Sequence, residues 1–399
     1  MKTRVTDFAL FGGPREFAET VLVGRPNTGD PASLYARLDA VLETGHLTSF
    51  GPMVREFEAR IADLAGTAHC VATCNGTAAL EVMIRTAGLT GEVIIPSMTY
   101  VATAHAVRSL GLTPVFCDLD PLTGCIDPDR VEELITPDTS GLIGVHLWGQ
   151  PCDVERLEKI AEAHDLTLFF DAAHGVACSL GDTPIGGFGT AEMFSFHATK
   201  VLNTFEGGAI VTNDDRFADR ARRVHNFGWG EGRMTDFVGV NAKMNEASGA
   251  MGLTSLEALP SSIAANHANY VLYSAELSGL PGVTVHQYDD RNRNNYQYVV
   301  VKVDEQVCGL PRDAVLALLH ADNVLAQRYF WPCAHELEPY RTETPTALPA
   351  TEHLAAQVIA LPTGPRTSRD TIGRICGLIR LAARNAPEVS ARWRLTNPT

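Results

Sequence analysis

Long apolar runs are missing from this 399-residue chain. No segment reaches 18 consecutive apolar residues, so no helix is expected to span a bilayer and no membrane partner is expected. Positive charge is also short: 32 Lys+Arg against 47 Asp+Glu give a formal charge of −15. That is the opposite of a general nucleic-acid binder, and an anionic ligand must be held by a few placed donors rather than a global field. Paired cysteine motifs are absent among the nine cysteines, which run from Cys70 to Cys376 without a C-x-x-C. Neither a zinc ribbon nor a redox pair is therefore expected, and reduced, buried thiols in a cytoplasmic protein remain. A secretory signal is not expected either, because Asp7 interrupts the basic start and Phe8–Phe11 is too short for an apolar signal core. Repeats and low-complexity stretches are missing, as are G-x-G-x-x-G and G-x-x-x-x-G-K-[ST]; dinucleotide and P-loop nucleotide folds are disfavoured.

What is present is an ordinary globular composition, 45% hydrophobic and 20% charged, long enough for one large α/β domain and a smaller one. From about residue 33 to 213, short β-rich runs alternate with helical periods. Helices are expected over 33–42, 54–64, 78–87, 101–110 and 154–164, and strands over 70–73, 92–95, 114–118, 142–147, 167–170, 193–196 and 209–212. Continuous apolar strands such as VIIP and LFFD suit a sheet covered on both faces, and the alternation argues for parallel crossovers. After Asn213 come a basic helix over 216–224, a glycine-rich loop over 228–239 and a long helical tract over 246–277. A smaller pattern follows: strands over 283–287 and 296–303, a helix over 312–320, a strand over 324–329 and a terminal helix over 371–383. The expected organisation is a large domain over 1–260, including the N-terminal segment, and a small α+β domain over 261–399.

Ligands in an open parallel sheet gather where strands hand over to helices. Three such places carry chemistry. Asn75-Gly76-Thr77 lies between VATC and the helical run AALEVMI, where free amides and a hydroxyl suit an anion. Asp171 closes the apolar strand LTLFFD, where a carboxylate is expensive unless it is paired. Lys200 ends the polar turn Ser195-Phe196-His197-Ala198-Thr199-Lys200, where a desolvated amine has a depressed pKa and can act as a nucleophile. Each has a plainer reading: Thr77 as a helix cap, Asp171 as a backbone-bonded carboxylate, Lys200 as a solvated surface residue. Together they match the needs of pyridoxal 5′-phosphate: a cradle for its phosphate, a carboxylate for its ring nitrogen and an amine for its aldehyde.

Longer motifs extend this match over nearly the whole chain. VGRPN (23–27), LTSFGPMVREFE (47–58), CNGTAAL (74–80), EVIIPSMTYVATAHA (92–106), DAAHG (171–175), FSFHATKVLNTFEGG (194–208) and RYFWP (328–332) resemble the DegT/DnrJ/EryC1/StrS sugar aminotransferases. That family has fold type I of the pyridoxal-phosphate enzymes: a large domain with a mostly parallel central sheet and a smaller α+β domain. The resemblance implies that Lys200 bonds the cofactor aldehyde and then shuttles a proton, while Asp171 pairs with the ring nitrogen. Gly76, Thr77 and Ser195 would bind the phosphate, and Tyr100 would lie over the ring, unless it is a core aromatic. His174 replaces a common glutamine and would contact the phenolic oxygen, with a ring that titrates near neutrality. Asn241, in the loop 239–244, would reach the partner's cofactor phosphate, implying a homodimer with composite sites; by itself it reads as a turn residue. Arg328 and Tyr329 would border the nucleotide sugar, with a solvated arginine as the plainer reading, and Glu206 is divided between packing and sugar contact.

In this family a histidine in place of the lysine marks dehydratases, so Lys200 favours transamination. The turn HATKVLNTFEGG resembles the branch that aminates C4 of 4-keto-6-deoxy sugars. The expected reaction moves an amino group from L-glutamate to a nucleotide-linked sugar, with dTDP favoured, for natural-product or polysaccharide glycosylation. C3 amination and a same-fold dehydratase or aromatising enzyme are the alternatives.

Overall fold

The computed structural model describes residues 2–341 and 347–396. Seven strands form the central sheet: β1 (His69–Thr73), β2 (Glu92–Pro96), β3 (Thr113–Cys117), β4 (Thr139–Val145), β5 (Thr167–Asp171), β6 (Ala191–Ser195) and β7 (Gly208–Thr212). Their order is β1-β7-β6-β5-β4-β2-β3, and β7 alone runs antiparallel to its neighbours. The two-residue side-chain period splits the strands cleanly. Val71, Ile95, Ile143, Phe169, Met193 and Ile210 face one helical layer; Ala72, Ile94, Leu142, Phe170, Phe194 and Val211 face the other. Both faces are covered, as the apolar strands VIIP and LFFD require.

The helices are α1 (Pro31–Thr44), α2 (Pro52–Ala65), α3 (Gly76–Ala87), α4 (Ala102–Ser109), α5 (Pro128–Leu134), α6 (Val154–Ala163), α7 (Asp215–Val224) and α8 (Glu246–Leu277). Asp30 caps α1 by accepting from Ala32 and Ser33, with Pro31 at the first position, and Asn75 caps α3 by accepting from Ala78 at 2.8 Å. The cap of α3 is therefore Asn75, and the Thr77 hydroxyl is not used for it.

The C-terminal unit has a three-stranded antiparallel sheet, β8 (Val283–Val285), β9 (Val299–Val303) and β10 (Val358–Leu361), with α9 (Arg312–Ala321), α10 (Pro349–Gln357), α11 (Arg369–Arg384) and α12 (Ala386–Thr396). The division expected at residue 260 falls inside the 32-residue helix α8. The N-terminal segment also sits elsewhere than expected: Val5, Phe8 and Phe17 enter the core of the C-terminal unit, and Val21–Leu22 pairs in parallel with Val324–Leu325. Apolar residues at the start of the chain find their burial there. We propose a division within α8 that groups residues 1–22 with the C-terminal unit.

Three C-terminal strands are shorter than expected, and β8 ends at Val285 rather than at residue 287. β9 starts at Val299 rather than Tyr296, because the preceding residues direct their hydrogen bonds to the large unit. Asn295 Nδ2 donates to the carbonyls of His174 and Val176, both at 2.9 Å. The strand beginning at Val324 ends at Leu325, which frees 326–330 to run toward the cavity described below.

Close approach of α3 to the sheet depends on glycine. A Cβ on Gly208 would lie 2.6 Å from the Asn75 carbonyl carbon and 2.7 Å from the Gly76 nitrogen. Gly208→Ala should push α3 off β7 and cost about 1–3 kcal/mol through overpacking. Denaturant unfolding checks this, and a melting curve matching the parent chain would contradict it.

Candidate active site

Parallel strands end together, and the ends of β5 and β6 meet the start of α3 and of β7 on one edge of the sheet. A cavity of about 750 Å³ opens there. Eight of the residues expected at the site line it: Gly76, Thr77, Tyr100, Asp171, His174, Ser195, Lys200 and Tyr329. Gly76 has no room for a side chain, since a Cβ would meet Met193 Sδ at 3.0 Å and the Ser195 Cβ at 3.2 Å. Its amide and the start of α3 thus lie against the Ser195 side chain, a concave edge with free donors.

Asp171 is buried, and both its oxygens are held. Thr103 Oγ1 donates to Oδ2 at 2.7 Å, and the Ala173 amide donates to Oδ1 at 3.1 Å. Burial raises its pKa above the usual carboxylate value, and the Thr103 hydroxyl, the Ala173 amide and Lys200 pull part of that back. Lys200 is half-buried and lines the same cavity. Burial lowers its amine from 10.5 to about 8, with Asp171 partly restoring it. Its Nζ is 3.3 Å from Tyr298 Oη.

His174 departs from the expectation that its ring titrates near neutrality. Burial, and then Lys200, hold its pKa well below the ordinary 6.5. The Trp148 amide donates to His174 Nδ1 at 3.1 Å, so the ring proton resides on Nε2. It is a neutral, fixed-tautomer donor. Its ring lies parallel to Phe330 at 5.9 Å, and Tyr100 stands 6.1 Å from the same Phe330. Tyr100 is 62% exposed in this chain, so it is a cavity wall and not a core aromatic.

Two expected residues lie away from the cavity lining of this chain. Asn241 is exposed and accepts from Lys243 Nζ at 2.6 Å. Arg328 covers the Trp331 ring at 4.0 Å and lies 3.6 Å from Asp313. Residues missed from the sequence also gather here. Thr103 is two residues into α4, and Gln297, Tyr298 and Phe330 come from the C-terminal unit. Thr103 and Phe330 had a local signal, their places within the motifs EVIIPSMTYVATAHA and RYFWP; Gln297 and Tyr298 had none.

These groups fit pyridoxal 5′-phosphate on chemistry and space: an amide and hydroxyl cradle kept open by glycine, a buried carboxylate for a cationic ring nitrogen, and a buried amine of lowered pKa. The comparisons agree. The model of the DegT/DnrJ/EryC1/StrS aminotransferase family matches residues 31–380. The chain belongs to that family. It is a pyridoxal-phosphate-dependent aminotransferase. A dTDP-4-amino-4,6-dideoxy-D-glucose transaminase of Shigella dysenteriae is 32% identical over 361 residues, covering 90% of this chain and 98% of the relative. A GDP-perosamine synthase of Caulobacter vibrioides is 33% identical over 339 residues, covering 84% of this chain and 91% of the relative. Among solved structures, DesI, crystallised in the presence of its TDP-sugar product, is 52% identical with a TM-score of 0.95 and covers 98% of this chain and 100% of its own.

The lowered pKa of Lys200 has a consequence for stability. The unfolded amine keeps its proton up to about 10.5 and the folded one up to about 8, so the charged form is penalised in the fold. The penalty is present in full below about 8 and fades as pH rises toward 10.5. Lys200→Met should stabilise the cofactor-free chain by up to about 3 kcal/mol at neutral pH. Denaturant titrations across that range should show the gain vanish at high pH.

Proposed function

We propose that this chain transfers an amino group from L-glutamate to C4 of a nucleotide-linked 4-keto-6-deoxyhexose, with dTDP as the favoured nucleotide. The observation that carries the reading is Lys200, a buried amine beside Asp171 in a chain that superposes along its length on a TDP-sugar enzyme. The Shigella relative, named for a 4-amino-dTDP sugar, supports nitrogen at C4.

When bound, pyridoxal 5′-phosphate supplies the electron sink that lets a substrate carbon lose and regain a proton while nitrogen changes hands. Amides at the start of α3, with the Thr77 and Ser195 hydroxyls, hold the phosphate oxygens. Asp171, fixed by Thr103 and Ala173, faces the ring nitrogen, and a cation there draws the carboxyl into its ionised form. His174 donates Nε2–H to the ring oxygen, and Tyr100 covers a ring face. Lys200 Nζ removes the proton from glutamate Cα in one half of the cycle and delivers a proton to sugar C4 in the other.

Among the residues lining the cavity, Lys200 is the only lysine or arginine, while Glu81 and Glu206 are also there. A sugar diphosphate and a dicarboxylate donor need cationic or neutral donors beyond that lining. That supports a homodimer in which Asn241 reaches the partner's cofactor phosphate. Met234 and Val238, 71% and 78% exposed in the loop before Asn241, suit such a contact. Tyr329 borders the sugar from the cavity wall, and Arg328 would leave Asp313 to meet the nucleotide. Nine free cysteines, eight of them buried, suit a reducing compartment, which supports the cytoplasm as its location.

The test is turnover of a dTDP-linked 4-keto-6-deoxyglucose with L-glutamate. Mass and NMR spectra of the product should show an amino group at C4 and one 2-oxoglutarate per sugar, and Lys200→Ala should abolish the reaction. Nitrogen at C3, or loss of a hydroxyl with no nitrogen gained, would overturn the reading.

A further inference from the structure

The turn that carries Lys200 is held from the C-terminal unit. Gln297 Oε1 accepts from the Val201 amide at 3.1 Å, and Gln297 Nε2 donates to the Thr199 carbonyl at 3.0 Å. One side-chain amide thus clamps both peptide neighbours of the lysine. The next residue, Tyr298, is buried with its ring fixed on two sides, 4.5 Å from the His174 ring and 5.9 Å from Tyr329. Its own carbonyl accepts from Tyr288 Oη at 2.9 Å. Lys200 Nζ donates to Tyr298 Oη at 3.3 Å, and among the described residues no other side chain is hydrogen-bonded to that amine.

We propose that Tyr298 is a positioning residue for Lys200: its hydroxyl oxygen holds the amine whenever that amine is not covalently engaged, so that the proton it carries stays next to the substrate carbon. The inference rests on the reading of Lys200 as the proton carrier. Lys200 Nζ gains the proton as an ammonium, directs one N–H to Tyr298 Oη, and returns to a neutral amine when it gives the proton up. Tyr298 gains and loses none. Burial raises its phenol far above the working range, so it accepts a hydrogen bond without competing for the proton.

The groups facing Lys200 have different tasks. Asp171, at the end of β5, is bonded to Thr103 and Ala173 and would be taken by the cofactor's ring nitrogen. His174, from the following turn, has its acceptor nitrogen occupied by Trp148. Tyr329, from the segment after Leu325, packs on Tyr298 but makes no hydrogen bond to Lys200. Tyr298 is left as the neutral acceptor. A lysine side chain otherwise has many rotamers to sample, and a tether spares that search in each half of the cycle.

Tyr298→Phe deletes the hydroxyl and keeps the ring. The chain has only five lysines, Lys2, Lys159, Lys200, Lys243 and Lys302, so ¹³C reductive methylation of the full-length, cofactor-free protein gives few signals, with Lys200 identified by its loss in Lys200→Met. The Lys200 signal should titrate near about 8 in the parent chain and at lower pH in Tyr298→Phe, because the ammonium loses its acceptor. In the loaded enzyme, cofactor uptake and both KM values should hold, kcat should fall about 10- to 100-fold, and the isotope effect with Cα-deuterated glutamate should rise. An unchanged titration, or a loss confined to cofactor binding or KM, overturns the proposal. A nuclear Overhauser contact between the Lys200 methyls and the Tyr298 ring in the unaltered chain is required as well, and its absence overturns the proposal even if the variant does not fold. The titration and the contact need no sugar, so their failure is distinct from failure of the proposed reaction.

Discussion

Lys200 and Asp171 share one buried cavity, and desolvation acts on both against charge. The amine is driven toward the neutral form and the carboxyl toward the protonated form, while their mutual attraction offsets only part of this. A pair in that state is poised for a ligand that satisfies each separately. A cationic ring nitrogen would restore the carboxylate, and the neutral amine would suit an aldehyde. Burial thus sets up both the affinity for the cofactor and the nucleophilicity of the lysine. The Thr103 hydroxyl and the Ala173 amide keep the Asp171 carboxyl in place while it changes charge.

The remaining groups around this pair are held neutral. The depressed pKa of His174 and the raised pKa of Tyr298 remove both from titration in the working range; His174 Nδ1 accepts from the Trp148 amide, and Tyr298 Oη accepts from Lys200 Nζ and from Gln297 Nε2 at 3.4 Å. On the proposed reading, proton traffic would thereby be confined to Lys200. If histidine or tyrosine exchanged protons beside it, the proton taken from one carbon could leak to another base or to water. Neutrality here comes from burial, with Phe330 packed on His174 and Tyr329 on Tyr298.

The large unit was legible because its signals are local. An apolar strand followed at once by Asp171, or a strand followed by Asn75-Gly76-Thr77, places the residue by chain direction alone, and helices and strands there fell within a few residues of expectation. The C-terminal contribution was not legible in that way. Tyr298 meets Lys200 across 98 residues, and Asn295 meets His174 across 121. No period or cap records such a pairing. The same reason explains the short β9, since a run that reads as continuous strand from Tyr296 has its first residues bonded to another unit. The N-terminal segment was misplaced for a related cause: Val5, Phe8 and Phe17 are an apolar pattern too short to reveal which core they enter.

Chemistry and substrate choice therefore occupy different parts of the fold. The reaction type resides in the strand ends of the large unit, which the family shares. The wall against which a sugar would lie is built from Tyr100, Tyr329 and Phe330, two of them on a segment that leaves its strand after Leu325. Relatives named for a dTDP sugar and for a GDP sugar stand at 32% and 33% identity to this chain, and identity at that level does not rank the nucleotides. What distinguishes them must be local, in the few side chains at the cavity rim. Because the C-terminal unit also clamps the Lys200 turn through Gln297 and Tyr298, any change there that reshapes the sugar wall is constrained to leave the lysine in place.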